Sequence, residues 1–287
     1  VHLTKHHGLG NDFLVALDAT AGVPLPDDPE VLAGLARVLC DRRRGIGADG
    51  LIVGRLGDAP EGADVAMALR NADGSRAEIS GNGIRCLGQA VVAARGVDRG
   101  NVVVATDAGR REVSVVPGAD PREVQVEVAM GEVSVVGEVP AMATVLLDGR
   151  AHRYLAVGNP HLVVEVPDPA AVDLATEGHA LEAAFEGGVN VEFVRVVDDG
   201  DAGAPVIELR VWERGAGITE ACGSGACAAA HAARSWGRVG DDARVAMPGG
   251  AATVHLAGDE AVLTGPSVHI ARIEVPDDLV LGAGGPR

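Results

Sequence analysis

Aromatic side chains are almost missing from this sequence: 287 residues hold three phenylalanines, two tryptophans and one tyrosine. A core must therefore be filled with Val, Leu, Ile and Ala, and there is enough material because 47% of the residues are hydrophobic. Lysine is scarcer still, with Lys5 alone. Pyridoxal phosphate is held as a Schiff base to lysine, so a single lysine argues against that cofactor, and no other cofactor is expected. Net positive charge is lacking as well. The formal charge is −17, which speaks against nucleic acid or an anionic membrane as partner, since both require a basic face. An anionic small-molecule substrate would have to be caught by a local positive field inside an acidic shell.

Four cysteines stand at positions 40, 86, 222 and 227. Their spacing contains no CxxC pair, so no metal site is expected. No stretch is long and apolar enough to span a bilayer, and the first residues do not resemble a secretory signal. These features predict a cytoplasmic protein with reduced thiols. The length allows one large domain or two of ordinary size.

What the sequence does have is a repeat. "AEISGNGIRCLGQ" (77–89) and "EACGSGACAAAH" (220–231) superpose so that Ser80 falls on Cys222, Gly81 on Gly223 and Gly83 on Gly225. At the same offset "LRNADGSRAEIS" (69–80) lies on "VWERGAGITEAC" (211–222). "GNDFLVAL" (10–17) resembles "GNPHLVVEV" (158–166), and a weaker echo pairs "IGADGLIV" (46–53) with "GVNVEFVR" (188–195). Echoes in one order at nearly one offset indicate a duplicated domain. Each half predicts a strand after its first Gly-Asn (Phe13 to Leu17, Leu162 to Val166) and an acidic helical stretch (Pro29 to Arg42, Ala170 to Phe185). Short β-branched strands follow, then the elbow and an Ala-rich helix. The chain changes halves between Met130 and Pro140. The expectation is an α+β protein of two similar lobes, 1–130 and 131–267, with the active site in a cleft between them.

Both elbows feed a helix, so Ser80 and Cys222 are expected at helix N-termini. Unpaired N–H groups and the positive end of the helix dipole bind anions there, such as an α-carboxylate. The same field favours a thiolate, which predicts a lowered pKa for Cys222 and alkylation ahead of Cys40, Cys86 and Cys227. Two such ends could hold one carboxylate and present a side chain to each face of the α-carbon, as a two-base racemase needs. Blander readings stand beside this one: serine is among the commonest helix caps, and cysteine is often a small buried hydrophobe. Neither elbow continues as GxGxxG or carries GK[ST], so nucleotide binding has little support.

Taken together, "KHHGLGNDF" (5–13), "DRRRGIGADGLI" (41–52), "NADGS" (71–75), "GNGIRC" (81–86), "GNPH" (158–161), "GVNV" (188–191) and "ERGAGITEACGSGACA" (213–228) resemble the diaminopimelate epimerase family. The matches run in family order over nearly the whole chain. The resemblance implies two pseudo-symmetric lobes, each a barrel-like, mostly antiparallel sheet around a central helix. A C-terminal strand, about 268–287, would return to the first lobe. It also implies a cofactor-independent isomerase that interconverts LL- and meso-diaminopimelate in lysine and peptidoglycan biosynthesis, and a homodimer, since the family is often dimeric. By the same resemblance Cys222 is one catalytic residue. Gly223 and Ser224 supply N–H groups to the reacting carboxylate, and Gly81 and Asn82 match the corresponding positions at the other elbow. Asn11, Asn71, Asn159 and Asn190 match asparagines that hold the substrate. Glu213 and Arg214 match the pair that reads its distal ammonium and carboxylate, which suits a carboxyl group and a guanidinium fork. His161 matches a histidine beside the site, with a structural and a catalytic role both open.

One position departs from the family pattern. "CGNG" is "SGNG" here, with Ser80 where the first catalytic cysteine stands. A hydroxyl is a far weaker acid than a thiol, and a helix dipole worth about 1 kcal/mol does not close that gap. Cys86 is a poor substitute, since six residues along a helix place it about 9 Å on and roughly 240° round the axis. Three readings follow: an epimerase with a Ser80/Cys222 pair; a related isomerase, racemase or dehydratase acting on another amino acid; and a non-catalytic paralogue that binds diaminopimelate.

Overall fold

A computed structural model describes residues 1–77, 79–198 and 205–277. The chain divides into two units, Val1–Val128 with Pro266–Arg287, and Ala129–Gly265. Residues 278–287 of the expected C-terminal return lie outside the described residues.

In the first unit β1 (His2–Gly8), β2 (Asn11–Leu17), β3 (Gly50–Arg55), β4 (Val65–Asn71), β5 (Gly100–Thr106), β6 (Gly109–Pro117) and β7 (Glu123–Glu132) are neighbours in chain order. The last strand of the chain (Glu260–Glu274) lies beside β7 and also pairs with β1, which closes the ring. The β2–β3 and β4–β5 pairs are parallel. Parallel neighbours need a crossover, and the two here contain α1 (Pro29–Leu39) and α2 (Gly81–Ala94). Helix α2 is the central one, packing on β1, β2, β3, β5 and β6. Every residue from Gly81 to Val92 is buried, as a helix enclosed by a barrel requires. Gly88 shows how close the wall comes, since a Cβ there would sit 2.9 Å from Val113 Cγ1.

The second unit repeats this succession. Its strands are β8 (Ser134–Val135), β9 (His152–Ala156), β10 (Pro160–Glu165), β11 (Asn190–Asp198), β12 (Pro205–Glu213), a short β13 (Gly217–Thr219) beside β12, β14 (Asp242–Met247), β15 (Gly250–Ala257) and β16, which is Glu260–Glu274. The β10–β11 and β12–β14 pairs are parallel and the β9–β10, β11–β12 and β14–β15 pairs antiparallel, the pattern of β1 to β6 strand for strand. The short helix α3 (Ala141–Leu147) precedes β9, α4 (His179–Ala183) lies in the β10–β11 crossover as α1 does in the β2–β3 crossover, and α5 (Gly223–Ser235) packs on β9, β10, β11, β12, β14 and β15. Its small residues suit that enclosed place. The α+β, duplicated architecture expected from the sequence is therefore written in the strand pairings.

Three local expectations change. The helix over Pro29 to Arg42 stops at Leu39, because Asp41 Oδ1 accepts from the N–H groups of Arg43 and Arg44 at 2.7 Å each and turns the chain. The helix over Ala170 to Phe185 is broken into a 3-10 turn (Pro169–Ala171), a wide turn (Leu174–Gly178) and α4, because Asp168 and Asp173 each cap a separate start. The weakest internal echo also shifts register. Phe13 pairs with Gly50 and His161 with Asn190, so Gly50 corresponds to Asn190 and Ile52 to Glu192, two residues from the alignment read in the sequence. No helix among the described residues is long and apolar enough to cross a membrane.

Candidate active site

The two elbows fold alike. Ser80 is extended (φ −141°, ψ 115°) and its Oγ accepts from the Gly83 N–H at 3.0 Å. Cys222 takes the same pose (φ −126°, ψ 115°), and its Sγ accepts from the Gly225 N–H at 3.4 Å. Each side chain thus caps its helix, leaving the N–H groups of Gly81 and Asn82, and of Gly223 and Ser224, at first-turn positions that have no intrahelical partner. The glycines at the third helical position are closely approached, Gly225 more tightly than Gly83. A Cβ on Gly83 would meet Ile52 Cδ1 at 3.2 Å, and one on Gly225 would meet Glu192 Oε1 at 2.6 Å.

Around the Ser80 end lies an amide and ion-pair network. Asn82 Nδ2 donates to Asn11 Oδ1 at 3.2 Å, Asn11 Nδ2 donates to Asp49 Oδ2 at 2.8 Å, and Arg85 Nη2 donates to Asn82 Oδ1 at 2.6 Å. Lys5 and Arg42 both hold Asp12, at 2.9 and 2.7 Å, and Arg42 also reaches Asp49 at 2.6 Å. The Asp12 carboxyl is buried, which alone would raise its pKa, but the bonds from Arg42 and Lys5 outweigh this and hold it below the ordinary carboxylate value. Asn71 is engaged elsewhere in the unit, donating to Ser75 Oγ at 3.0 Å across the 71–75 turn. Cys86 is fully buried in α2, six residues along the helix from the Ser80 cap, and burial pushes its thiol up to about 12.

Around the Cys222 end the groups are acids and a histidine. His161 Nδ1 lies 2.6 Å from Glu192 Oε1, both fully buried, and His161 Nε2 lies 2.8 Å from Asn159 Oδ1. Asn190 Nδ2 donates to Pro160 O at 2.9 Å while its Oδ1 accepts from the Arg214 N–H at 3.0 Å. Glu213 is near enough to the Cys222 thiol for its charge to act on it, and it accepts a very short bond from Thr219 Oγ1. Cys222 Sγ also lies 3.6 Å from Ser224 Oγ. The Glu213–Arg214 pair therefore splits: Glu213 is partly exposed as a residue, yet its carboxyl group belongs to the surroundings of the thiol rather than to a distal subsite.

This setting overturns the expected low-pKa thiolate. Burial raises the Cys222 pKa well above the ordinary thiol value, and the charges of Glu213 and Glu192 raise it further. The Ser224 and Gly225 contacts pull the other way and lose. The physical reason is one of scale: a helix end contributes about 1 kcal/mol, whereas desolvating a charge beside like charges costs several times that. Glu213 is displaced in the same direction, chiefly by burial, with Thr219 opposing it and Glu192 adding to the rise.

Within one unit the structure brings together Asn11, Gly81, Asn82 and Ser80, and within the other Asn159, His161, Asn190, Glu213, Arg214, Cys222, Gly223 and Ser224. The sequence reading missed Glu192 and Thr219, which face these groups. It also missed Glu182, whose carboxylate accepts from Trp212 Nε1 at 2.6 Å and from the Gly215 N–H at 3.3 Å and so pins the 213–217 turn. The available signal for Glu192 was a lone acid inside the apolar run "VNVEFV". Among the described residues no group of three or more His, Cys, Asp or Glu side chains is placed to hold a metal ion.

The fold is one that epimerases share. A hydroxyproline epimerase from Agrobacterium vitis, solved with bound trans-4-hydroxy-L-proline, superposes with a TM-score of 0.74 at 20% identity, covering 99% of this chain and 94% of that one. A phenazine biosynthesis protein of the PhzF family from Bacillus anthracis also shares it (TM-score 0.65, 13% identity, 96% of this chain and 99% of that one), so the fold alone does not select a reaction. The sequence does. The profile of the family described as diaminopimelate epimerase matches residues 3–136 and 153–270. The diaminopimelate epimerases of Rhizorhabdus wittichii and Corynebacterium glutamicum are each 38% identical over 96% of this chain, and over 95% and 98% of their own lengths. The chain belongs to the diaminopimelate epimerase family.

Proposed function

We propose that this chain interconverts LL- and meso-diaminopimelate without a cofactor, by proton transfer at one α-carbon between Cys222 and Ser80. It would act in the cytoplasm, in lysine and peptidoglycan synthesis. The observation that carries this reading is the pair of like-built helix ends, each capped by a side chain that can carry a proton, each with first-turn N–H groups for a carboxylate. Family membership supplies the substrate. Asn11, Asn159 and Asn190 supply amides to it, and Arg214 a guanidinium for its distal carboxylate, while the assignment of Asn71 rests on the family pattern alone.

The proton balance follows from the acids beside the thiol. Cys222 starts as a thiol and passes its proton to the neighbouring Glu213 carboxylate, which leaves the net charge of the cluster unchanged. The thiolate removes the α-proton, leaving the C–H electron pair on the α-carbon next to the carboxylate held by the helix N–H groups. Ser80 then gives its hydroxyl proton to the other face. Toward a carbanion a hydroxyl is a competent acid, because the carbanion is a much stronger base than the alkoxide formed. Water returns a proton to that alkoxide, and the proton held by Glu213 neutralises the hydroxide so formed, which restores the Cys222 thiol, the Glu213 carboxylate and the Ser80 hydroxyl. As a base, starting from the hydroxyl, Ser80 is poor, so the half-reaction that uses it as one is slow.

Incubation with LL-diaminopimelate in deuterium oxide tests the reading. The expected result is α-deuterium incorporation together with the meso isomer. Exchange without inversion would leave Cys222 as the sole working base and overturn the pair. Binding with neither exchange nor inversion would make the chain a binding protein, and turnover of a different amino acid would reassign the substrate.

A further inference from the structure

We infer that Glu192 is a positioning residue which, through His161, locks the Asn159 amide so that its NH2 group is the end offered to a substrate carboxylate. The geometry is a three-residue chain running from the interior outward. Glu192 and His161 are fully buried, while Asn159 is half-exposed. Asn159 Oδ1 can only accept, so the 2.8 Å contact requires a proton on His161 Nε2. His161 Nδ1 and Glu192 Oε1, 2.6 Å apart, share one further proton. Whichever of those two atoms carries it, Nε2 remains the donor, and the amide oxygen of Asn159 is committed inward. Its two N–H bonds are left for a ligand.

Two further observations single out this function for Glu192. The second carboxylate oxygen, Oε2, is buried without a hydrogen-bond partner among the described residues. The bond to His161 is thus the one contact that compensates for placing this acid in the interior. The corresponding positions of the first unit hold Phe13 and Ile52, both buried and apolar, so the fold itself does not need an acid or an imidazole there. The matching asparagine of that unit, Asn11, is engaged at both ends, with its NH2 donating to Asp49 and its oxygen accepting from Asn82. The duplicated asparagines are therefore not interchangeable.

Without Glu192 the imidazole is free to place its single proton on Nδ1. Nε2 then becomes an acceptor, the Asn159 amide rotates to donate to it, and an oxygen faces the carboxylate. Glutamine at 192 donates an amide N–H to Nδ1 and preserves the lock; leucine does not. The test combines imidazole 15N–1H correlation spectra of the wild type, Glu192→Gln and Glu192→Leu with kinetics on LL-diaminopimelate. His161 is expected to carry a proton on Nε2 in the wild type and in Glu192→Gln. In Glu192→Leu that proton moves to Nδ1, and relative to the glutamine variant, which lacks the same charge, the KM rises at least tenfold while kcat changes less than threefold. An unprotonated Nε2 in the wild type, or equal KM values for Gln and Leu, would overturn the inference. If the leucine variant does not fold, the wild-type and glutamine spectra still decide. The role of Asn159 rests on the epimerase reading, but the spectra need no substrate. A correct tautomer without turnover of diaminopimelate would therefore sink that reading and leave the lock standing.

Discussion

The two helix ends share one backbone and almost none of their surroundings. Ser80 and Cys222 have the same extended pose and the same bond from the third helical N–H. Beyond that shell, Asn82, Arg85, Asn11 and the Lys5–Asp12–Arg42 group line one end, and Glu192, Glu213 and His161 line the other. The comparison teaches that duplication preserved the backbone of the helix end while the side chains around it diverged. An acid-lined pocket suits a thiol that must pass its proton to a neighbour and take another from carbon. An amide-lined cap suits a hydroxyl that only delivers.

The largest way to break this comparison is to empty its reactive side. Cys222→Ala should lower both inversion and α-deuterium exchange about 10⁴-fold, the upper range of a lost acid–base group; retained exchange would mean that another base serves the substrate. The reciprocal change sharpens it. Ser80→Cys should raise kcat roughly tenfold, since a thiol both gives and takes a proton more readily than a hydroxyl. An unchanged rate would show that the serine half is not limiting. A smaller effect is expected at the acid itself. Thr219→Val removes the bond that opposes the upward displacement of Glu213, so the acid limb of kcat/KM should move to higher pH and kcat should fall about threefold. A fixed limb would exclude Glu213 as the proton acceptor.

Two titrations probe the units without substrate. Because burial and two acids keep Cys222 protonated, iodoacetamide should label it at pH 7.5 more slowly than a free thiol, with the rate climbing through pH 9 and above. Fast labelling at neutral pH would restore the thiolate. In the first unit, His6 is buried against Gln89 and its pKa is lowered to about 4, chiefly by burial. A depressed folded value means that stability is present above the unfolded value near 6.5 and is lost as pH falls through the folded one. The loss should approach roughly 3 kcal/mol below pH 4, and His6→Phe should flatten it.

Much of this was legible from residues alone. The GNG and GSG elbows with their small-residue helices announced the two caps, and the echo between "GNDFLVAL" and "GNPHLVVEV" announced the repeated strand. What failed did so for physical reasons. Glu192 sits in a strand where one acid among valines looks like a solvent-facing position, and only the pairing of β11 with β10 turns it inward. The strand echo slipped by two residues because glycine- and valine-rich segments match in composition in more than one register. The Cys222 pKa was read from the helix end alone, which is local, while burial and the acids from β11 and β12 are tertiary.

The central claim is that two unlike side chains serve one α-carbon, and the Ser80→Ala variant tests it most directly. With LL-diaminopimelate in deuterium oxide, formation of the meso isomer should fall at least 100-fold while α-deuterium exchange on the retained LL substrate continues at Cys222. Inversion at the wild-type rate would contradict the account, because the face assigned to Ser80 would then be reprotonated by something else.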